Sequence, residues 1–313
     1  MTTLITGGAG FLGTNLAQRL VELGEDVVLF DVTNSSLDGK KAKMVKGDLA
    51  CFGEVFEVIK NNQIKNIFHC GALLSQSAEE NVPKAFEVNL LGTWYLLEAA
   101  RLFGVQKMMF ISTNATFGSY LSASQPVPNT APQYPNTIYG VSKVSSERLG
   151  EYYRHKYGID FRGIRFPSVI GAGRGAGGLS SYTSLVIEKA ALGEPYHIFV
   201  EPHCCMPLLY IKDAVRALLE LFQARDDQLR YRIYNLNGFS PTAGEIVEEI
   251  KKEIPEAKLY FAPEPELVKI VDSWPNYLDD TAAQEDWHWR PEYDLKKTIQ
   301  DFIDQARKNT NEI

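Results

Sequence analysis

The sequence predicts an α/β fold, a doubly wound parallel sheet with a smaller C-terminal domain. Three observations carry that reading. Short apolar runs alternate with segments of helical period along most of the chain. The first strand, Thr2 to Thr6, runs into Gly7-Gly8-Ala9-Gly10-Phe11-Leu12-Gly13, which opens a helix. The next strand, Val27 to Phe30, ends in Asp31, so strand, glycine turn, helix, strand and acid follow each other within about thirty residues.

Composition bounds the answer. The chain has 313 residues, 45% hydrophobic and 23% charged, enough for a full core in one large domain or two unequal lobes. The net charge is -7 and no basic stripe occurs, which argues against a nucleic-acid partner. No apolar run is long enough to span a membrane, and the N-terminus enters the first strand without a signal segment. Cys51, Cys70, Cys204 and Cys205 form no CxxC pair, which suits a reducing cytoplasm. His203-Cys204-Cys205 has no ligand-spaced partners, so no metal is expected.

The glycine loop is a dinucleotide site in this context. Gly7, Gly10 and Gly13 let the backbone approach a pyrophosphate, and the helix N-terminus at Phe11 and Leu12 attracts its charge. Leu16, Leu20 and Leu23 give that helix its buried face, and Gly24 stops it. Asp31 suits the adenosine ribose. No Arg or Lys follows it until Lys40, so NAD is favoured over NADP.

Further along, Lys43 to Val45 is a strand leading to Gly47-Asp48-Leu49, and Glu54 to Asn61 is helical. Asn66 to Cys70 is a strand ending in Gly71-Ala72-Leu73-Leu74-Ser75, small residues that suit close approach of a ligand. His69, in an apolar strand, reads as a satisfied core histidine. Ala85 to Phe103 is a long amphipathic helix with Phe86, Leu90, Trp94, Leu97 and Leu102 as its core stripe. Asn89 interrupts that stripe, either satisfying backbone or supporting a site. Lys107 to Ile111 is a buried strand ending in Ser112-Thr113, and Ser119 to Thr137 is a Pro- and Ser-rich loop.

The loop delivers the chain to Tyr139-Gly140-Val141-Ser142-Lys143, before a helix from Val144 to Tyr157. Tyr139 and Lys143, at i and i+4, project from one helix face. A lysine ammonium beside a phenol favours the phenolate, so the tyrosine pKa is expected to fall toward neutrality, as a general base requires. After a strand from Asp160 to Arg165 and Phe166-Pro167, the stretch Ser168 to Ser184 is rich in Gly and Ser and reads as a flexible substrate loop, or lid. Helices follow at Ser184 to Leu192 and Asp213 to Gln223, and strands at Leu208 to Ile211 and Arg232 to Asn235. The expected division is a cofactor domain over 1–166, with 208–240 returning to it, and a substrate domain over 167–313.

Gly7-x-x-Gly10-x-x-Gly13, Asp31, Asp48-Leu49, Thr113 and Tyr139-x-x-x-Lys143 together resemble the extended short-chain dehydrogenase/reductase family. The resemblance implies a Rossmann domain carrying NAD and a smaller C-terminal substrate-binding domain. It implies Tyr139 as base, Lys143 holding the nicotinamide ribose and tuning Tyr139, and Thr113 bonding the substrate oxygen. It places Asp48 and Leu49 at the adenine, and Ala72, Asn89 and Phe166 among the cofactor contacts. Ser75, Ser180 and Ser181 join Thr113 and Tyr139 as substrate contacts, and the expected assembly is a homodimer.

Three stretches narrow the match: Ala72-Leu73-Leu74-Ser75 with Ala78 to Asn81; Met206-Pro207 through Ala214; and Trp274-Pro275 with Asp279 to Ala283 and Asp286-Trp287-His288-Trp289. These look like the epimerase-like L-threonine 3-dehydrogenases, the type without zinc. That group usually carries two threonines and an aspartate before the Tyr182 position, where this chain has Leu179, Ser180 and Ser181. The implied reaction is NAD-dependent oxidation of the β-hydroxyl of a small amino or hydroxy acid. The alternative is a nucleotide-sugar 4-epimerase. Such enzymes usually grip the diphosphate with an arginine where this chain has Met206-Pro207, leaving Arg165 and Arg174 as possible substitutes. Intact Tyr139, Lys143 and Thr113 speak against a non-catalytic NAD-binding regulator, and Asn114-Ala115 after Thr113 speak against a dehydratase.

Overall fold

The computed structural model describes residues 2–35, 37, 42–119 and 125–311. Lys40 and residues 120–124 of the Ser119 to Thr137 loop lie outside the described residues.

The first six strands are β1 (Thr2–Thr6), β2 (Asp26–Asp31), β3 (Ala42–Lys46), β4 (Asn66–His69), β5 (Lys107–Thr113) and β6 (Asp160–Phe166). Short strands follow: β7 (Ser168–Ile170), β8 (Tyr196–Ile198), β9 (Leu208–Tyr210), β10 (Ile233–Asn235) and β11 (Leu259–Phe261). Seven of them form one parallel sheet in the order β10-β6-β5-β4-β1-β2-β3. Leu4, Ile5, Ile67 and Met109 are fully buried between layers of helices, which is why these strands read as continuous apolar runs. The chain order reverses between β1 and β4, and an open parallel sheet binds its ligand at such a switch point, beyond the strands' C-terminal ends. The loops there are Gly7 to Gly10 and Cys70 to Leu74.

Helices cover both faces: α1 (Phe11–Glu22), α2 (Phe52–Asn61), α3 (Ser75–Glu80), α4 (Val82–Ala85), α5 (Gly92–Phe103) and α6 (Ile138–Tyr157). The later ones are α7 (Tyr182–Ala191), α8 (Ile211–Gln223), α9 (Ala243–Glu253), α10 (Pro265–Asp272), α11 (Thr281–Trp287) and α12 (Leu295–Asn311). Small parallel pairs β7–β9 and β8–β11 accompany these later helices. The Trp-rich segment near α11 is structural. Asp286 accepts from the Tyr234 hydroxyl at 2.7 Å and from Arg230 Nε at 2.6 Å, and Asp280 accepts from Trp289 Nε1 at 3.2 Å, fastening α11 to β10.

Four expectations need correcting. Leu23 is exposed just past the end of α1, whose buried face is Gly13, Leu16, Ala17 and Leu20. Ala85 to Phe103 is not one α-helix: a π-helical turn at Phe86–Leu91 separates α4 from α5. A π-turn shifts the helical register, and the buried residues are Ala85, Val88, Asn89, Gly92, Thr93, Leu96, Leu97, Ala99 and Ala100. Of the expected stripe, Phe86, Trp94 and Leu102 are exposed. Helix α6 begins at Ile138, capped by the Thr137 side chain, so Tyr139 and Lys143 both lie inside it. Its buried face is mostly small or polar (Gly140, Ser142, Lys143, Ser146, Glu147, Gly150), which hid its start from an apolar-period reading. Finally, the stretch Ser168 to Ser184 is partly regular. Ser168 pairs with Leu208 in β7–β9, and α7 starts at Tyr182; a three-residue strand is too short to show a period.

Candidate active site

The glycine loop is built as a cradle for an anion. A Cβ on Gly13 would stand 2.1 Å from the Gly7 carbonyl oxygen, and one on Gly7 would stand 2.6 Å from the Gly71 nitrogen. Only glycine lets the loop after β1 lie against both its own helix and the loop after β4. No side chain caps α1, so the first-turn N–H groups at Phe11 and Leu12 face out of the helix end, where a phosphate group fits. Asp31 stands beside this loop: its Oδ2 accepts from the Ala9 N–H at 3.1 Å and its Oδ1 from the Thr33 N–H at 3.1 Å. The sheet register sets Lys46 of β3 opposite Asp31.

The adenine end expected at Asp48 and Leu49 carries an ion pair. Lys84 Nζ donates to Asp48 Oδ2 at 2.9 Å, and Ala50 N–H donates to Asp48 Oδ1 at 2.9 Å. Burial raises the Asp48 carboxyl, but the Lys84 bond and the Ala50 N–H outweigh it and hold the group below its ordinary value. Leu49 is buried and touches the positions where Gly71 and Gly92 would carry a Cβ. Asn89 is spent on backbone: its Oδ1 accepts from Leu73 N–H at 2.8 Å and its Nδ2 donates to Leu73 C=O at 2.9 Å, fixing the Ala72–Leu73 loop. His69 is a core histidine, bonded to Thr6 Oγ1 at 2.7 Å and Thr93 Oγ1 at 2.9 Å.

Tyr139 packs with Ala72, Leu73, Ala115 and Ile138 at the end of β5. Gly140 makes this possible: a Cβ there would meet the Ala115 carbonyl oxygen at 2.5 Å, so only glycine lets α6 approach the turn after β5. The Thr113 side chain lies near enough to the Tyr139 phenol to favour its ionised form. Lys143 Nζ lies 5.7 Å from the Tyr139 ring centre and donates to the Ile111 carbonyl at 2.6 Å. The expected fall in the Tyr139 pKa is not found. Burial pushes the phenol up to about 12, only partly offset by Thr113, and Lys143 is not among the groups acting on it. Burial also pulls Lys143 down to about 8, partly countered by Cys70 and Glu147. Desolvation is the largest influence on both groups.

Sequence reasoning missed Glu147, one turn beyond Lys143 on the same row of α6. Glu147 is fully buried, accepts from Ser112 Oγ at 2.5 Å and is gripped by Arg165 through Nη2 at 2.8 Å and Nε at 3.0 Å. Burial raises its carboxyl, and Arg165 more than reverses that, leaving it below its ordinary value. The signal was available: a charge at the i+4 position after Lys143. Phe166 is buried in the main core and pairs in register with Thr113. Ser75 is exposed in the first turn of α3, while Ser181 is buried and donates to the Gly178 carbonyl at 2.8 Å. Ser180 Oγ receives Arg174 Nη2 at 2.8 Å.

His203, Cys204 and Asp272 place one ligand atom each within 4.8 Å of one another; Asp272 is the member the sequence reading lacked. Burial and Asp272 push the Cys204 thiol up to about 12.

Residues 3–237 match the model of the NAD dependent epimerase/dehydratase family. The chain belongs to that family. It is an NAD-dependent enzyme of the extended short-chain dehydrogenase/reductase type. A mitochondrial L-threonine 3-dehydrogenase from Bos taurus is 36% identical over 303 residues, covering 95% of this chain and 80% of that protein. The solved structure of a partial consensus L-threonine 3-dehydrogenase superposes with a TM-score of 0.92 at 30% identity, covering 98% of this chain and 100% of that one. A monomeric L-threonine 3-dehydrogenase from a metagenome gives a TM-score of 0.91 at 29% identity, covering 98% and 99%. Among the described residues, no helix is long and apolar enough to cross a membrane.

Proposed function

We propose that this enzyme oxidises the β-hydroxyl of a small amino or hydroxy acid, with L-threonine to 2-amino-3-oxobutanoate as the leading case. The observation that carries the reading is the Arg165–Glu147 pair. An epimerase acting on sugar nucleotides needs a cation for the diphosphate. Met206 and Pro207 before β9 offer none, and Arg165 is buried and bound to Glu147, which leaves Arg174, held by Ser168 and Ser180, as the one substitute the sequence offered. The likeness to L-threonine 3-dehydrogenases supports the same direction.

The geometry supports the following roles. Thr113 and Tyr139 present adjacent hydroxyls, suited to bracket a substrate hydroxyl, with Tyr139 receiving its proton. Lys143, fastened to Ile111, is the cation that would hold the nicotinamide ribose. Bound NAD supplies the hydride acceptor, and the positive charge of its oxidised ring favours the phenolate. Gly7, Gly10, Phe11, Leu12 and Asp31 hold it at one end of the cleft, and Asp48, Leu49 and Ala72 line its path. Ser75 and Ser180 complete the substrate side.

A homodimer fits the exposed apolar side chains of the adjoining helices α5 and α6, where Trp94, Leu102, Val141 and Tyr152 face outward. Trp94 Nε1 donates to the Tyr153 hydroxyl at 3.0 Å, joining the two helices into one face. Light scattering decides between this assembly and a monomer such as the metagenomic relative. The four free cysteines suit a reducing, cytoplasmic setting. Calorimetry with L-threonine, UDP-glucose and UDP-galactose on the NAD-loaded protein tests the substrate class. L-threonine or another β-hydroxy acid should bind; tight UDP-sugar binding with no response to these acids would favour the epimerase.

A further inference from the structure

Arg174 lies between β7 and α7, in the loop that the sequence left without a path. Its Nη1 donates to Ser168 Oγ at 2.9 Å and to the Ser180 carbonyl at 3.2 Å, and its Nη2 donates to Ser180 Oγ at 2.8 Å. These bonds hold the guanidinium by its Nη1–Nη2 side. Nε has no protein partner among the described residues, and Nη2 keeps a second N–H beyond its bond to Ser180. The Nε–Nη2 edge is the fork which takes a carboxylate with two parallel bonds.

The other buried or partly buried arginines among the described residues are ion-paired. Arg154 and Arg232 pair with Asp226, Arg162 with Asp160, Arg165 with Glu147, and Arg216 with Asp213. Arg174, also partly buried, has no carboxylate. A desolvated cation without a counter-ion is costly, and burial alone pulls this guanidinium down to about 10. Two serine contacts orient it without neutralising it.

Its place in the fold ties it to the candidate site. Ser168 follows Phe166 by two residues, and Phe166 pairs in register with Thr113. On the other side, the Arg174 N–H closes a turn onto the Gly171 carbonyl at 3.3 Å. A Cβ on Gly171 would meet the Phe11 ring at 2.8 Å, at the mouth of the glycine cradle. The loop is therefore anchored between the end of the catalytic strand and the cofactor loop.

We propose that Arg174 is the substrate's anion-recognising residue, its Nε–Nη2 edge taking the carboxylate of a small β-hydroxy acid. This rests on the dehydrogenase reading and makes it narrower: the substrate carries a free carboxylate, recognised by a cation in the loop and not by the main sheet. Ser180 then acts as a positioning residue for Arg174.

The test compares carboxylates with their amides. L-threonine, both enantiomers of 3-hydroxybutyrate and the corresponding carboxamides are titrated by calorimetry into the NAD-loaded full chain, with NADH formation followed in parallel. Arg174→Gln should weaken carboxylate binding by about 10- to 100-fold, the range that a lost charge-assisted contact supplies. Arg174→Lys should fall between, because a point charge keeps the attraction and loses the fork. Amide binding and NAD affinity should be unchanged in both variants, which separates recognition from a folding defect. Unaltered carboxylate binding in Arg174→Gln, an equal loss for the amides, a loss of NAD affinity, or no carboxylate binding by the unmodified enzyme would each overturn the proposal. Arg174-dependent carboxylate binding without NADH would keep it and sink the dehydrogenase reading instead. NADH formation indifferent to Arg174→Gln would do the reverse.

Discussion

The Lys143 ammonium donates a 2.6 Å hydrogen bond to the carbonyl of Ile111, two residues before Thr113. This contact fastens the first turns of α6 to β5 and so sets Tyr139 beside Thr113. Its donor is used within the protein, and burial dominates both the lysine and the tyrosine. On the proposed dehydrogenase reading, Tyr139 is a base held in place before NAD binds.

Tyr139→Phe removes the phenol and keeps the ring in its apolar cluster. Turnover should fall about 10²–10⁴-fold, the usual contribution of a general acid–base group, while NAD affinity and melting temperature stay near those of the parent. Near-normal turnover would remove Tyr139 as the base.

The buried pair beneath the site should matter for stability. Glu147→Gln leaves Arg165 in the core without its counter-charge, and breaking such a pair costs about 3–5 kcal/mol. Urea unfolding measures it. A loss below about 1 kcal/mol, the scale of an exposed ion pair, would contradict the role assigned to the Arg165–Glu147 contact.

His69 predicts an acid-side loss of stability. Burial holds its pKa well below 6.5, so the folded protein keeps it neutral while the unfolded chain takes up a proton. A base with a depressed folded pKa contributes stability above the unfolded value and loses it as pH falls below about 6.5, at about 1.4 kcal/mol per pH unit. His69→Gln should be less stable at pH 7.5 yet show a shallower decline between pH 6.5 and 5.5. Equal slopes in the two proteins would mean that His69 does not carry this dependence.

Cofactor choice is tested at Asp31. Its carboxylate stands beside the glycine loop, where it would repel a 2′-phosphate on the adenosine ribose, so NAD should bind more tightly than NADP. Asp31→Asn should narrow that preference by removing the repelling charge. Equal affinities in the parent enzyme would contradict the reading.

Much of this architecture was legible because it is local. A glycine turn between a strand and a helix, an acid at the end of β2 and Tyr139 one turn before Lys143 are all properties of short windows. The misread parts depend on packing across the chain. Phe86, Trp94 and Leu102 have helical spacing and still face outward, because the π-turn and the small residues of α5 decide which side meets the core. Glu147 with Arg165 and Lys84 with Asp48 are pairings that tertiary contacts create. The tyrosine pKa was misjudged because spacing reports proximity and says nothing of desolvation.

The most direct test of the central claim is net NADH formation. The enzyme is mixed with NAD and, separately, L-threonine, 3-hydroxy acids, UDP-glucose and UDP-galactose, and absorbance at the reduced nicotinamide band is followed. A dehydrogenase leaves the hydride on the cofactor, so NADH should accumulate steadily with a small β-hydroxy acid and not with the sugar nucleotides. Interconversion of the UDP-sugars without net NADH, together with silence toward every small acid, would contradict the account.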